Sequence, residues 1–374
     1  MTRRRQLSIA ARRRESSPSA GCPEGLSIVR RTANAPAADG ISGVSPAFAS
    51  AKARAGMYES FYLRTVSGGD PIGAWIRYTV QKRPSQAPSG SLWITVFDAI
   101  RGAPFMHRDT TTELSAPEDC WIAIGQSHIG PSLAEGECGP ARWRLSFQSE
   151  ERELRHLRQS WLYAGPLPRT KLTSPSPDAS FAGAIELPDR TLEVKGWRGM
   201  VGHNWGTEHA ERWIWLHGID FAEDPSAWID VALARVRVGG RLTPWLAAGA
   251  ISLGGQRLRL GGLGARGVRA EHSAAGCALA LRGEDGVAVQ ARARVPAGAA
   301  AGWRYSDPGS RGEGSAGEHD VVNCSVAEVS LEVSLRDRPE RRLHTDHGGA
   351  YELGMRERDH GVPNHGLPLA PFLD

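Results

Sequence analysis

The chain has 374 residues, 40% of them apolar. At roughly 100–200 residues per domain this suffices for more than one packed unit and excludes a short peptide or a fully disordered chain. Its apolar runs stop after a few residues, far short of the ~20 that cross a bilayer as a helix, so no transmembrane segment is expected. The formal net charge is +4, yet residues 1–55 hold ten Lys and Arg against Glu15, Glu24 and Asp39, so this stretch carries +7 and the remainder −3. A mildly acidic body lacks the basic face that releases counterions from phosphates, and nucleic acid is not expected as a partner.

Residues 1–56 contain two Arg triplets, Arg3 to Arg5 and Arg12 to Arg14, and then Ser/Pro/Ala/Gly-rich sequence without hydrophobic periodicity. Such composition predicts a disordered basic extension. An export signal is disfavoured because Arg12 interrupts the short apolar stretch after Arg5. A natural start at Met57, directly before the first strand-like segment, is a further expectation. The five cysteines, Cys22, Cys120, Cys138, Cys277 and Cys324, form no C-x-x-C pair. Neither a zinc ribbon nor a disulfide framework fits them, and a reducing, cytoplasmic compartment is expected.

From Tyr58 the pattern has period two. Tyr58 to Val66, Gly73 to Val80, Leu92 to Asp98, Cys120 to Gln126, Ala141 to Gln148, Phe181 to Leu187 and Thr191 to Trp197 are short segments rich in aromatic and β-branched residues, bounded by Gly, Pro, Ser or Asp. They read as antiparallel strands. Residues 164–180, with four prolines, read as a connection. The second series comprises Arg212 to Phe221, Ala227 to Val238, Trp245 to Leu253, Arg257 to Leu260, Ala278 to Arg282, Val287 to Val295 and Val321 to Leu335. The tail beyond Arg336 is charged and Pro-rich, with one strand near Ala350 to Met355. So many strands favour closure over one open sheet. The expectation is an all-β protein of two antiparallel barrel or sandwich domains, 57–206 and 207–374, with the boundary open between about 165 and 240. Gly262 to Gly267 spells G-x-G-x-x-G, but strand-like alternation follows it instead of the helix that a dinucleotide site requires. It reads as a turn.

Chemistry concentrates in Gly199 to Phe221, which holds three Trp, three His and several carboxylates on what reads as a loop and then a strand. Period two places Trp213, Trp215, His217, Ile219 and Phe221 on one face. On the next strand Trp228 and Asp230 share a face with the small Ala232 and Ala234. This suits the aromatic wall of a pocket inside a barrel. His203, His209 and His217 match no common zinc spacing, so neither a metal nor another cofactor is expected.

Asn204-Trp205-Gly206, followed by Glu211-Arg212 leading into Trp213-x-Trp215 and closed by Phe221, resembles the core of tocopherol cyclases. Gly202-His203-Asn204-Trp205-Gly206 is similar to the His-containing stretch of carotenoid 1,2-hydratase and related lipocalin-like proteins. The resemblance implies two lipocalin-like β-domains that enclose a prenylated or polyene molecule and protonate an alkene, so that a ring closes or water adds. Where the hydratase pattern carries acids, this chain has Gly202 and Asn204. The proton donor then comes from Glu208, Asp220 or Asp230, with His203, His209 or His217 as partner. Asn204, Trp205, Trp213, Trp215, Phe221 and Trp228 are the expected ligand wall. Burial among aromatics would keep a carboxyl protonated, which favours Asp230 as the acid. A non-catalytic carrier and a protein-interaction module are the alternatives, and transient contact with a membrane surface stays open.

Overall fold

The computed structural model describes Val44, residues 46–48 and residues 56–356, apart from 118, 263, 310–316 and 337. The expected disorder of residues 1–56 otherwise falls outside these residues. Twelve strands form the first sheet: β1 (Met57–Val66), β2 (Ile72–Lys82), β3 (Ser89–Asp98), β4 (Gly102–Thr111), β5 (Leu114–Ser115), β6 (Ile122–Ile124), β7 (Ser127–Ile129), β8 (Leu133–Cys138), β9 (Ala141–Gln148), β10 (Leu154–Arg155), β11 (Thr170–Glu186) and β12 (Thr191–Gly206). The rest of the chain supplies β13 (Arg212–Gly218), β14 (Trp228–Arg235), the short pair β15 (Arg237–Val238) and β16 (Arg241–Leu242), β17 (Leu246–Leu253), β18 (Gln256–Gly261), β19 (Arg269–Ser273), β20 (Gly276–Arg282), β21 (Ala288–Arg294), β22 (Ala301–Ser306), β23 (Glu318–Ser334) and β24 (Arg341–Met355). All but β15 and β16 join the second sheet, in the order β18-β17-β14-β13-β24-β23-β21-β20-β19 with β22 on β23.

The first sheet curls until β8 meets β2 and β3, where Tyr78 Oη donates to the Glu135 carbonyl (3.0 Å) and Cys138 Sγ donates to the Leu92 carbonyl (3.3 Å). In the second sheet an isolated bridge, Leu260 to Gly283, draws β18 towards the end of β20. The architecture is thus all-β and lipocalin-like, as the sequence predicts.

Burial shows where the sheets meet. β9 alternates strictly between buried and exposed residues, with one face in water, whereas β1, β2 and β3 are buried on both faces over nearly their whole length. Phe61, Leu63, Ile76, Tyr78, Ile94 and Val96 fill the first sheet's own core. Tyr62, Val66, Trp75, Trp93 and Phe97, on the opposite faces, join the core of the second sheet. At about 25 cal/mol per Å² of apolar area removed from water, these large side chains make the seam between the sheets a main source of cohesion.

Four sequence expectations change. Residues 170–180 are the first half of β11, with register shifts between Thr173 and Ser176 and between Ser176 and Ala179. Pro175 and Pro177 lie at those shifts, where a missing N–H costs no ladder bond. Gly199 to Gly206 is strand, paired on one side with β1 and on the other with β11. The segment near Ala350 is the end of a fifteen-residue strand lying between β13 and β23. Cys138, Cys277 and Cys324 are buried free thiols, but Cys120 is disulfide-bonded, unlike the set of isolated thiols expected.

Candidate functional site

In the β13–β14 ladder His217 lies opposite Asp230, Trp215 opposite Ala232, and Trp213 opposite Ala234. β24 places Ala350, Glu352 and Gly354 opposite the same three residues of β13. Directly opposite residues share a face, so Trp213, Trp215, His217, Asp230 and Glu352 form one surface. Ile214, Leu216, Val231 and Leu233 occupy the other face and fill the second sheet's core. The polar and aromatic surface therefore does not line a barrel interior, as the sequence suggested. It meets the first sheet, where Tyr62, Arg77, Trp93 and Arg108 lie opposite one another across β1 to β4. Tyr62 is edge-on to Trp215 at 5.7 Å, and Trp93 packs against Trp303 at 5.0 Å and Tyr305 at 5.6 Å. Two glycines make this packing possible. A Cβ on Gly202 would come within 2.2 Å of the Tyr62 ring, and one on Gly354 within 2.0 Å of the Trp213 indole.

Asp230 is fully buried at this seam. Its Oδ1 accepts from Trp215 Nε1 (2.9 Å) and pairs with His156 Nε2 (3.2 Å), while Oδ2 accepts from Ser174 Oγ (2.5 Å). Burial pushes the carboxyl up. The charge and hydrogen bond of His156, with His217 and Ser174, outweigh burial and hold it down at about 2. Asp230 is thus ionised, whereas apolar surroundings alone would have kept it protonated. An ionised carboxylate only accepts, so His156 Nε2 carries the proton of that bond, and its buried Nδ1 has no protein partner.

Arg64, from the first sheet, is buried in the second. Its Nη1 donates to His217 Nδ1 (3.1 Å) and the Gly348 carbonyl (3.0 Å), and its Nη2 to the carbonyls of Ser325 (2.8 Å) and Gly349 (3.4 Å). Because guanidinium cannot accept, His217 Nδ1 is the acceptor and Nε2–H donates to the Pro177 carbonyl (2.9 Å). Burial and the neighbouring Arg64 lower His217 to about 3. It is a neutral imidazole with both nitrogens engaged.

Glu352 is half-buried and accepts from Trp213 Nε1 (2.8 Å), Tyr305 Oη (3.2 Å) and Asn323 Nδ2 (3.2 Å). Burial, followed by the charges of Asp230 and Glu352, raises the Tyr62 phenol well above its ordinary value. Elsewhere His203 Nε2 pairs with Glu59 Oε1 (2.8 Å) and its ring stacks between Phe61 and Trp205. The two Glu59 oxygens also accept from the backbone N–H of Ala47 (2.8 Å) and Phe48 (2.6 Å). Residues 46–48 thus seal this pair.

The remaining sequence candidates are dispersed. Trp205 is half-buried beside Asn204 and lines an open hollow of about 490 Å³ with Met57, Leu167, Arg169 and Lys171. Phe221 is plain core. Trp228 donates from Nε1 to Glu151 (2.9 Å), under Arg257. Glu208 is paired with Arg169 and Arg356, and Asp220 with Arg198 (2.9 Å). None of these meets Asp230. In the connection between the sheets His209 lies with Asp307 and His319, their candidate ligand atoms all within 4.8 Å of one another. His156, Ser174, Arg64, Tyr62, Glu352 and the Asp307–His319 pair were not among the sequence candidates. The available signal was an Arg or Glu at an inward position of an otherwise apolar strand, as at Arg64 and Arg77.

No family profile matches the chain. Two uncharacterized proteins of Mycobacterium tuberculosis strains are 27% identical over 168 residues, 44% of this chain and 49% of theirs. The chain spans about half the length of the curated relatives it matches. Among solved structures, CghA in complex with Sch210972 aligns over 80% of this chain and 88% of its own at 13% identity, with a TM-score of 0.53. Kievitone hydratase from Nectria haematococca covers 85% of this chain and 93% of its own at 10% identity, with a TM-score of 0.49. At such identities the CghA likeness establishes the fold class, an all-β lipocalin-like protein.

Proposed function

We propose that the chain binds an apolar, unsaturated small molecule of prenylated or polyene type at the aromatic seam between its sheets and transfers a proton to it. The observation that carries this reading is the pairing of ionised Asp230 with His156 beside the indole of Trp215, in a wall continued by Tyr62, Trp213 and Trp303. The bond from His156 Nε2–H to Asp230 fixes the ring, and the unpartnered Nδ1 is the position at which a proton would be taken up and passed on. Moving that proton to an alkene carbon creates a carbocation, which closes a ring or adds water and then returns a proton to the imidazole. Aromatic faces stabilise such a cation by about 0.5–2 kcal/mol each. Trp93 Nε1 and Asn323 Oδ1 are buried without a protein partner. A bound molecule or solvent would satisfy them, since an orphaned polar group costs about 1–3 kcal/mol. The bound Sch210972 of CghA supports a small-molecule occupant for this fold. No described helix is long and apolar enough to cross a membrane, and an apolar ligand would be collected by transient contact with a membrane surface. Residues 57–206 and 207–374 would then act as two β-domains that hold the ligand between them.

The test begins with mass spectrometry of organic extracts from the purified protein. The recovered class of molecule is then turned over in D2O. Deuterium on carbon in the product, and an Asp230→Asn rate lower by about 10²–10⁴-fold with the fold intact, are expected. An Asp230→Asn protein that works at the parental rate would remove the dyad from the mechanism. Binding without turnover is the second reading. It is favoured by the complete burial of Asp230 and its full set of partners, and it predicts that the ligand is recovered unchanged.

A further inference from the structure

We propose that His209, Asp307 and His319 form a site for a divalent metal ion of the zinc class. The three residues are far apart in sequence and come together where the connection after β12, the end of β22 and the start of β23 converge. Asp307 Oδ1 accepts from both the backbone N–H (2.8 Å) and the Nδ1 (2.7 Å) of His209. His319 is fully buried, and neither of its ring nitrogens reaches a partner in hydrogen-bonding geometry. One of them is directed towards the Ala210 backbone carbonyl. That approach is the kind a ligating histidine makes with its second nitrogen, leaving the first as a bare electron pair. His209 Nε2 is likewise without a partner.

Two imidazoles and a carboxylate are the donor set of open zinc sites and of other borderline divalent ions. Ligand atoms around tetrahedral zinc lie about 3.4 Å apart at metal–ligand distances of about 2.1 Å, so a spread of up to 4.8 Å closes with small side-chain shifts. A fourth position remains for water or another ligand. Arg356 Nη2 lies 3.5 Å from Asp307 Oδ2, but its charge is answered by Glu208 at 3.0 Å and Glu211 at 3.6 Å. Trp213 stands over both imidazoles, with centroids 5.5 Å from His209 and 5.4 Å from His319. An open-shell ion at the site would quench its emission. The metal would tie the connection between the sheets to the β22–β23 hairpin, independently of any ligand at the seam.

The experiment uses the full chain, stripped with chelator and titrated with Co2+ and Zn2+. One equivalent of Co2+ should bind with visible d–d absorption and quench Trp fluorescence. Zn2+ should displace it and raise the melting temperature by mass action. His319→Ala and Asp307→Asn should each weaken binding by about 100-fold or more, with circular dichroism confirming the fold. If His319→Ala does not fold, His209→Gln serves as the ligand variant. Stripped, folded protein that takes up neither ion, or variants that bind as tightly as the parent, would overturn the assignment.

Discussion

Replacing Arg64 with Met tests whether the polar seam holds the two sheets together. The change keeps most of the apolar stem and removes the guanidinium with its bonds to His217, Ser325, Gly348 and Gly349. Three of these are 3.1 Å or shorter, and leaving their acceptors unpaired costs about 1–3 kcal/mol each, roughly 3–9 together. Against that stands the relief of a buried cation, worth several kcal/mol. No carboxylate touches Arg64 among the described residues, so burial lowers it to about 10 and much of the penalty is already present in the native state. The balance gives a loss of about 2–4 kcal/mol, since the carbonyls lie too deep for water to replace the arginine. Urea denaturation with an unchanged slope would read this as a lower midpoint. NMR of His217 should show its pKa rising from about 3, because a neighbouring positive charge is gone while burial remains. A variant as stable as the parent would refute the view that these bonds join the sheets.

Acid should weaken the fold through the same seam. His217 titrates near 3 when folded and near 6.5 otherwise, so the unfolded chain takes up its proton first and stability falls with pH between those values by about 1 kcal/mol per unit. Asp230, held at about 2 against an ordinary 3.8, adds a loss in the same direction below pH 4. Denaturation midpoints at pH 7, 5.5 and 4.5 should show this slope, reduced in His217→Gln; a flat profile would contradict it. Removing residues 1–56 deletes the Ala47 and Phe48 donors and leaves Glu59 with His203 as its one partner among these bonds. A loss of about 1–3 kcal/mol is expected, and equal stability would mean the 46–48 segment is dispensable. Gly354→Ala should push the Trp213 indole off Glu352, with shifted Trp emission and weaker uptake of apolar ligands; an unchanged spectrum would show the ring has room.

The all-β class was legible because period two needs only neighbours in sequence, and β9 shows it as strict alternation in both sequence and burial. β4, β8 and β22 were not read, since Gly102 to Thr111 is polar and half-exposed and Leu133 to Cys138 carries only two apolar residues before Glu135, Gly136 and Glu137. Only the first half of β11, residues 170–180, reads as a connection in the sequence, because its prolines sit at bulges that only tertiary pairing reveals, whereas Phe181 to Leu187 reads as strand. The shared face of Trp213, Trp215 and His217 followed from parity alone. Which way that face points did not, because sequence could not say that the first sheet, and not a cavity, lies against it. Ser174 and His156, two of the partners of Asp230, lie 56 and 74 residues away, and they help reverse the protonation state that burial alone suggested.

The most direct measurement of the central claim is native mass spectrometry of the purified protein and its Trp213→Ala variant after exposure to a panel of isoprenoids and polyenes. The account predicts a one-to-one complex with at least one apolar member of the panel, weakened in the variant by about 10-fold or more through lost contact area. No complex with any member, or equal binding by both proteins, would contradict a ligand site at the aromatic seam.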